Sequence, residues 1–249
     1  MSFKDKGYII FGANGSIGNA IANKLHEQSA NIFLVGRDQD KISELASKYS
    51  CSCAIADVTI YQEVENAVEL ATEQFGDSLN GVVNAVGSVL LKPAHATSEN
   101  EWMSVLHTNL TSSFYILKSS VKRLQKTGGA LLFFSTAASL RGIANHEAIA
   151  AAKAGIDGMV RSAAATYASK NIRVNSIAPG LTDTKMTKRI VENKAALQMS
   201  LGMHALGRIG TVDDIVSGAM WLLDSNNSWI SGQTIAIDGG LSKLYPTSR

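Results

Sequence analysis

The sequence contains little cysteine, little proline and no long apolar run. Its only cysteines are Cys51 and Cys53, so no disulfide framework holds the fold together, and we interpret both as reduced structural thiols. No apolar run approaches the roughly 20 residues that a membrane span needs. The first residues contain no apolar segment of the length found in signal peptides. We therefore expect a cytoplasmic protein that has no membrane partner.

Charge of either sign is also scarce, and the two signs nearly cancel. The 249 residues include 23 basic and 21 acidic side chains, which gives a net charge of +2, and no basic cluster occurs along the chain. Nucleic-acid-binding proteins usually carry such a cluster, so we expect no nucleic-acid partner. A hydrophobic content of 45% is enough for a large core in a chain of this size. We expect a small-molecule ligand, and we predict no metal site.

Short apolar runs alternate with longer segments in which apolar residues recur at helical spacing. Runs that are apolar throughout indicate strands covered on both faces, and the alternation predicts a parallel sheet with right-handed crossovers. No linker divides the chain, so we predict one domain over residues 1–249, with a TIM barrel as the rival architecture. The predicted strands are 8–11, 31–35, 52–56, 81–84, 130–134, 172–177 and 233–237. The main predicted helices after the first are 40–49, 61–75, 98–108, 111–126, 146–169 and 212–224, with a looser stretch at 181–210.

A glycine-containing turn joins the first predicted strand to the first predicted helix. It reads Gly12-Ala13-Asn14-Gly15-Ser16-Ile17-Gly18, with glycine at every third position. Glycines in such a turn let backbone N–H groups approach a pyrophosphate, while the positive end of the following helix faces the anion. The spacing differs from G-x-G-x-x-G, but the position between a strand and an amphipathic helix favours a dinucleotide-binding turn over glycines that serve packing alone.

The second predicted strand ends with Leu34-Val35-Gly36-Arg37-Asp38. An acidic residue at this strand end would hold the ribose 2′-hydroxyl of NAD, whereas an arginine accommodates the 2′-phosphate of NADP. The pair Gly36-Arg37 therefore favours NADP(H), with NAD(H) as the alternative. The competing interpretation of Arg37 is an ordinary surface charge, and that of Asp38 is a helix cap.

Further motifs follow in a fixed order, and together with the glycine turn they resemble the short-chain dehydrogenase/reductase family over almost the whole chain. They are Ala56-Asp57-Val58, Asn84-Ala85-Val86-Gly87, Thr108-Asn109-Leu110, Ala151-Ala152-Lys153-Ala154-Gly155, Asn171-Ile172-Arg173-Val174-Asn175, Pro179-Gly180 with Thr184, and Asp238-Gly239-Gly240.

The resemblance implies a Rossmann-type, doubly wound sheet of seven parallel strands that binds NAD(P)(H). It implies a homodimer or homotetramer that packs through the helices at 111–126 and 146–169, and a lid at 185–205. We expect the segments 88–95, 138–146 and 181–205 to line the substrate cleft, with Arg141 as a candidate for the charge at its mouth. Asn109 would bend a helix and hold a water of the proton relay, and Lys153 would bond the nicotinamide ribose. The implied cofactor-binding residues are Gly12, Asn14, Gly15, Ser16, Ile17, Gly18, Arg37, Asp57, Val58, Asn84, Ala85, Gly87, Lys153, Pro179, Gly180 and Thr184.

The chain departs from the family pattern where a catalytic tyrosine is usual. That tyrosine precedes the lysine by four residues, and Ile149 occupies its position here. A phenol near a lysine ammonium is a usable acid or base, because the ammonium lowers the phenol pKa from its ordinary value near 10. Isoleucine carries no proton to transfer, and the loss of a positioned acid typically slows a reaction about 10²- to 10⁴-fold. The reaction could therefore be slow without being absent.

Two other groups are candidates for the tyrosine's role. His146 lies three residues before Ile149 on roughly the same helical face, and an imidazole can donate a proton near neutral pH. Its other interpretation is a residue of the first helical turn that takes no part in chemistry. Thr136 occupies the position where the family usually has serine, and with Ser135 it could hydrogen-bond a substrate oxygen. The predicted catalytic residues are Asn109, Thr136, His146 and Lys153.

Two functional hypotheses remain open at this point. The first is an NAD(P)(H)-dependent oxidoreductase that interconverts a carbonyl and an alcohol, with the proton supplied by His146 or by water held by Thr136, Asn109 and Lys153. The second is a catalytically weak or inactive NADP(H)-binding sensor or partner protein, since a fold does not imply a function.

Overall fold

The computed structural model describes residues 2–245, whose seven strands form one parallel sheet. The strands are β1 (Gly7–Phe11), β2 (Asn31–Gly36), β3 (Ser52–Ile55), β4 (Leu79–Asn84), β5 (Gly129–Phe134), β6 (Ile172–Pro179) and β7 (Thr234–Ile237). Their order across the sheet is β3-β2-β1-β4-β5-β6-β7. From β1 the chain first adds strands on one side, up to β3, and then crosses back to add β4 to β7 on the other side. In open parallel sheets the ligand crevice lies at such a switch point, outside the carboxyl ends of the strands.

Helices cover both faces of the sheet, because the central strands are apolar on both sides. Along β1, Ile9 and Phe11 belong to one buried core cluster, while Tyr8 and Ile10 belong to the cluster on the opposite face. The helices are α1 (Ser16–Glu27), α2 (Gln39–Tyr49), α3 (Tyr61–Phe75), α4 (Glu99–Leu106), α5 (Ser112–Leu124), α6 (Glu147–Tyr167), α7 (Lys188–Val191), α8 (Lys194–Met203) and α9 (Val212–Leu223).

A π-helical turn at His107–Thr111 joins α4 to α5. The sequence predicts two separate helices here, and the structure joins them through this distortion. Asn109 lies inside the turn, and its Nδ2 donates a hydrogen bond of 2.9 Å to the carbonyl oxygen of Val105. An inserted side-chain bond of this kind is a recognised cause of helix distortion, and such turns often occur at functional sites.

The prediction of a doubly wound, seven-stranded parallel sheet is confirmed, and the rival TIM barrel is wrong. A barrel closes its sheet, whereas β3 and β7 lie at opposite ends of the strand order. The looser stretch predicted at 181–210 contains α7 and α8, which the sequence analysis missed. The prediction of one domain over residues 1–249 stays a prediction. Across residues 2–245, no helix is both long enough and apolar enough to cross a membrane.

Candidate active site

The turn between β1 and α1 requires glycine at two positions for steric reasons. Gly12 has a φ of +76°, and a Cβ on it would lie 2.9 Å from the carbonyl carbon of Ala85. A Cβ on Gly18 would lie 2.3 Å from the carbonyl oxygen of Gly12. The backbone of this turn therefore packs against β4 and against α1 more closely than any other residue would allow.

The N-terminus of α1 is available to an anion. Gly15 is the N-cap residue, no side chain caps the helix, and its first turn holds no acidic residue. The first N–H groups of a helix lack partners within the helix, and the helix dipole adds positive potential at this end. Gly15, Ser16 and Ile17 line a cavity, so this end of α1 fits the pyrophosphate of a dinucleotide.

This cavity has a volume of about 340 Å³ and lies at the carboxyl ends of the central strands. Ten of the residues predicted to bind cofactor or to take part in catalysis line it: Gly15, Ser16, Ile17, Ala85, Gly87, Thr136, Lys153, Pro179, Gly180 and Thr184. Five further lining residues lie in segments that the sequence places at the cleft, namely Val86, Ser88, Val89, Thr182 and Thr187, whereas the sequence missed Phe134. Lys185 and Met186, which belong to the predicted lid, line it as well.

Lys153 is the buried cation of this cavity. Its Nζ donates a hydrogen bond of 2.7 Å to the carbonyl oxygen of Phe134, at the end of β5. Burial lowers the pKa of Lys153 to about 8, against the raising effect of the Asp157 carboxylate. The amine therefore titrates close to neutral pH, where a group can both give and take a proton.

Asn109 lies beside Lys153 but behind the cavity wall. A Cβ placed on Gly87 would lie 3.1 Å from Oδ1 of Asn109 and 3.5 Å from Nζ of Lys153. The same Oδ1 accepts a hydrogen bond of 3.1 Å from the backbone N–H of Ser88, and Nδ2 of Asn109 donates to Oγ of Ser88 at 3.0 Å. Ser88 lines the cavity and so connects Asn109 to it.

A second buried chain of hydrogen bonds holds the end of β4 to the π-helical turn. Asn84 Nδ2 donates to Oγ of Ser113 at 3.0 Å, and that hydroxyl donates to the carbonyl oxygen of Asn109 at 2.6 Å. Oδ1 of Asn84 accepts from the backbone N–H of Val86 at 3.1 Å. Asn84 therefore shapes the cavity from behind without lining it, and Ser113 gave no signal in the sequence because serine is common in helices.

Ile149 presents only hydrocarbon to the cavity. It lies one helical turn before Lys153 on α6, is 5% exposed, and belongs to a small core cluster with Val105, Ala148 and Ala152. Its side chain lines the cavity together with Thr136 and Lys153. No proton donor therefore occupies this position of the wall.

Thr136 and Ser135 form the part of the wall that follows β5. Thr136 accepts a hydrogen bond of 3.3 Å on its Oγ1 from the backbone N–H of Ala138, which fixes the side chain at the start of a short 3₁₀ turn. Ser135 Oγ donates to the carbonyl oxygen of Lys153 at 3.3 Å. The hydroxyl of Thr136 can offer a hydrogen bond to a substrate oxygen, whereas the single proton of Ser135 is already donated to Lys153, and neither hydroxyl is an acid by itself.

His146 is the predicted site residue that the structure sets apart from the others. It is the N-cap residue of α6, it does not line the cavity, and its Nδ1 lies 2.7 Å from the carbonyl oxygen of Ala144. The preceding segment, predicted at 138–146 to line the cleft, contributes no lining residue either. Arg141, a candidate for the cavity mouth, donates instead to the carbonyl oxygen of Leu241 at 2.6 Å.

Arg37 and Asp57 face each other at the ends of β2 and β3. Nη1 of Arg37 lies 3.8 Å from Oδ2 of Asp57, and the arginine side chain is largely exposed. Partial burial raises the pKa of Asp57, but hydrogen bonds from Thr59 and the charge of Arg37 lower it overall. A Cβ on Gly36 would lie 3.0 Å from Oδ1 of Asn14, so glycine lets β2 approach the glycine-containing turn. Asp38 caps α2 as expected, and Val58 is buried in the core.

The segment that follows β6 closes over the glycine-containing turn. The backbone N–H of Lys185 donates a hydrogen bond of 3.2 Å to Oγ of Ser16, and Oγ1 of Thr184 lies 3.0 Å from Oγ1 of Thr187. These residues join the turn at α1 to the start of the predicted lid. Residues 182 and 184–187 therefore form part of the cavity wall, within the stretch at 181–210 that includes the predicted lid.

Comparisons with known proteins agree over nearly the whole chain. A family model described as Enoyl-(Acyl carrier protein) reductase matches residues 12–242. A 3-oxoacyl-[acyl-carrier-protein] reductase FabG of Chlamydia muridarum is 34% identical over 245 residues, which cover 96% of this chain and 98% of that protein. Carbonyl reductase family member 4 of Danio rerio is 32% identical over 246 residues, which cover 95% of this chain and 98% of that protein.

Solved structures show the same agreement in three dimensions. A short-chain type dehydrogenase/reductase from Mycobacterium ulcerans superposes with a TM-score of 0.94 at 27% identity, and the match covers 99% of this chain and 93% of that chain. A putative gluconate dehydrogenase from Agrobacterium tumefaciens gives a TM-score of 0.93 at 26% identity, with 98% of both chains covered.

Proposed function

The chain belongs to the short-chain dehydrogenase/reductase family of oxidoreductases, and we propose that it interconverts a carbonyl and an alcohol through an altered proton relay. One observation carries the proposal. Lys153, Thr136 and the glycine-containing turn line one cavity, and Ile149 lines it at the position of the family's tyrosine. The substrate is a small molecule. Relatives named as reductases favour this enzyme over the non-catalytic sensor or partner protein.

The cofactor of this proposal is NADP(H), with NAD(H) as the alternative. When bound, the nicotinamide would give or take a hydride. The N-terminus of α1, with Gly15 and Ser16, would hold the pyrophosphate, and Pro179, Gly180 and Thr184 would flank the nicotinamide. Arg37 supports NADP because its exposed guanidinium stands at the end of β2, where a 2′-phosphate needs a cation. Asp57 beside it would compete for that cation.

Lys153 is the proton-transferring group that this proposal favours. Carbonyl reduction leaves negative charge on the substrate oxygen, which must receive a proton, and Ile149 has none. A water held between Thr136 and Lys153 would donate that proton, and the ammonium would then restore it to the water. Asn109 holds Ser88 in the wall beside Lys153 and so limits where this water can lie. The pKa of about 8 suits the exchange near neutral pH.

His146 is the less favoured donor, because it lies outside the lining of the cavity and its Nδ1 already faces the carbonyl oxygen of Ala144. Its involvement stays a prediction that can be tested directly. The homodimer or homotetramer through α5 and α6 and the cytoplasmic location also stay predictions.

The test is a measurement of NADPH binding combined with single-turnover oxidation of bound NADPH across a panel of small carbonyl compounds. We compare the unmodified protein with His146→Ala and with Lys153→Met. The expected result is tight binding, slow oxidation with at least one carbonyl, oxidation nearly unchanged in His146→Ala, and oxidation reduced at least tenfold in Lys153→Met. The lysine substitution keeps a long apolar stem and removes the titrating amine.

Tight NADPH binding without oxidation in any of the three proteins would contradict the proposal and favour the sensor or partner protein. Collapse of the rate in His146→Ala alone would transfer the proton-donating role to the histidine. If none of the proteins bound NADPH, the proposal of a dinucleotide site would itself be contradicted.

A further inference from the structure

A buried carboxylate lies directly behind the candidate active site. Asp157 is 5% exposed and follows Lys153 by one turn of α6. Its partners are three hydroxyl groups, which come from Ser139 at 2.8 Å, Thr234 at 3.0 Å and Ser176 at 3.4 Å. Burial of a carboxylate costs folding free energy unless the group is hydrogen-bonded or paired with a cation, and the three hydroxyl groups supply hydrogen bonds here.

One hydroxyl partner of Asp157, Ser139, is connected to the cavity wall. Oγ of Ser139 also lies 2.8 Å from the carbonyl oxygen of Thr136 and 3.0 Å from Oγ of Ser135. Ser135 in turn donates to the carbonyl oxygen of Lys153 at 3.3 Å. The carboxylate therefore connects the helix that carries Lys153 to the turn that carries the two hydroxyl groups of the wall.

We propose that Asp157 is a positioning residue of this site, which holds the turn at residues 135–139 through Ser139 and places a buried negative charge one helical turn from Lys153. The proposal rests on and deepens the proposed function, because Lys153 resupplies the proton of that relay. It concerns a residue that touches neither the cavity nor any ligand within it.

The charges around Lys153 come from few sources. β5 contributes the carbonyl oxygen of Phe134 and the π-helical turn contributes the amide of Asn109, neither of which titrates. The lid segment contributes the cation Lys185 to the cavity wall. Within the described part of the chain, Asp157 is the one charged group found to raise the pKa of Lys153 against the lowering effect of burial.

The sign of the effect follows from this balance. Removal of the negative charge leaves burial unopposed, so the amine should lose its proton at a lower pH. The same variant would also weaken the hydrogen bond between Ser139 and residue 157, which holds the turn at 135–139 and is a structural effect. The experiment must therefore separate the loss of charge from the loss of this hydrogen bond.

The test is a ¹³C NMR titration of the lysine ε-carbons in the cofactor-free protein, with the Lys153 signal identified by its absence in Lys153→Arg. The test variant is Asp157→Asn, which removes the charge at nearly constant shape. The matched control is Ser139→Ala, which keeps the charge of Asp157 and removes the hydrogen bond between Asp157 and the turn. We expect the titration midpoint of Lys153 to fall by at least about half a pH unit in Asp157→Asn and to stay unchanged in Ser139→Ala.

An unchanged midpoint in Asp157→Asn, with native chemical shifts elsewhere, overturns the proposal and leaves Asp157 as a purely structural carboxylate. Equal shifts in Asp157→Asn and Ser139→Ala overturn it as well, because the hydrogen bond and not the charge would then control Lys153. If Asp157→Asn does not fold, Asp157→Ser removes the charge with a smaller polar group and is read in the same way. The titration needs no turnover, so a protein without oxidoreductase activity fails the proposed function and leaves this test intact.

Discussion

Ile149 and Lys153 lie one helical turn apart on α6, and their side chains line the same cavity. Residues four apart on a helix project from the same face, so a group at position 149 stands close to the lysine amine. In this chain that group is a hydrocarbon packed against Val105 and Ala152. The amine donates its hydrogen bond to the carbonyl oxygen of Phe134, and position 149 offers it no phenol.

Replacement of Ile149 by tyrosine should raise carbonyl reductase activity. A phenol at this position would lie beside the Lys153 amine, which would lower the phenol pKa and make it an acid near neutral pH. We expect an increase in kcat/KM of about 10²- to 10⁴-fold with a small diketone, measured by NADPH oxidation.

The matched control is Ile149→Phe, which adds the same ring without the hydroxyl. Equal gains in both variants would assign the effect to the shape of the pocket and remove the acid from the explanation. A loss of thermal stability of about 1–3 kcal/mol in both variants would report overpacking against Val105 and Ala152.

The oxidation rate should depend on pH through Lys153. The pKa of this buried amine is about 8, below its ordinary value of 10.5, so the proton is present below about pH 8 and absent above it. Single-turnover oxidation of NADPH should therefore be nearly constant from pH 6 to 7 and should fall by about tenfold for each pH unit well above the pKa.

The control for this profile is Lys153→Arg, because an arginine keeps its charge throughout the accessible pH range. Its rate should be lower, and its decline above pH 8 should be absent. If the oxidation rate of this variant declined with the same pH midpoint, another group would be titrating, and the role of Lys153 in the relay would be rejected.

Replacement of Arg37 by alanine should weaken NADPH binding much more than NADH binding. The guanidinium would pair with the 2′-phosphate of NADPH, and such a charge-assisted contact is worth about 1.5–3 kcal/mol, or roughly 10- to 150-fold in Kd. Fluorescence titration with each nucleotide measures the two constants. The conservative variant Arg37→Lys should retain part of the preference, and equal weakening of both nucleotides by Arg37→Ala would remove the NADP assignment.

Replacement of Gly18 by alanine should disrupt the turn between β1 and α1. The added Cβ would lie 2.3 Å from the carbonyl oxygen of Gly12, so the turn would have to shift. We expect at least tenfold weaker NADPH binding and a loss of about 1–3 kcal/mol in the free energy of unfolding, measured by urea titration.

Gly158→Ala is the matched control for that substitution. Gly158 lies within α6, and a Cβ there would meet no atom within 4 Å. Alanine is the better helix former by about 1 kcal/mol, so this variant should be slightly stabilised with unchanged NADPH affinity. Unchanged NADPH affinity and an unchanged free energy of unfolding in Gly18→Ala would contradict the steric explanation of the turn.

The stretch at 181–210 shows where sequence patterns stop being informative. Residues 181–210 show no clear periodicity in the sequence, yet Lys194–Met203 forms a helix, capped by the Asn193 side chain at the N–H of Ala196. Its weak amphipathic pattern follows from its position on the surface of the fold, where one side only partly faces other residues. The sequence therefore predicts a loose stretch at a place where the chain forms a helix with a side-chain cap.

His146 and Asp157 show the same limit at the site. Helical spacing put His146 on the face of Lys153, but the helix begins at Glu147, so His146 leaves the helical path and turns toward Ala144. Asp157 gave no signal, because an isolated acidic residue within a helix usually faces solvent. Its burial depends on hydroxyl groups from β6, from β7 and from the turn after β5, which only the folded chain brings together.

The sequence by itself determined the seven strands, the doubly wound class, the glycine-containing turn and the identity of the residue at position 149. These depend on local periodicity, on glycine stereochemistry and on motif order, which are all properties of the linear chain. Tertiary structure decided which of the candidates share a cavity, that Asn109 is connected to this cavity through Ser88, and that Asp157 is buried one turn after Lys153. Distances between side chains from separate strands and helices depend on how those elements pack, and burial, which brings the pKa of Lys153 to about 8, exists only after that packing.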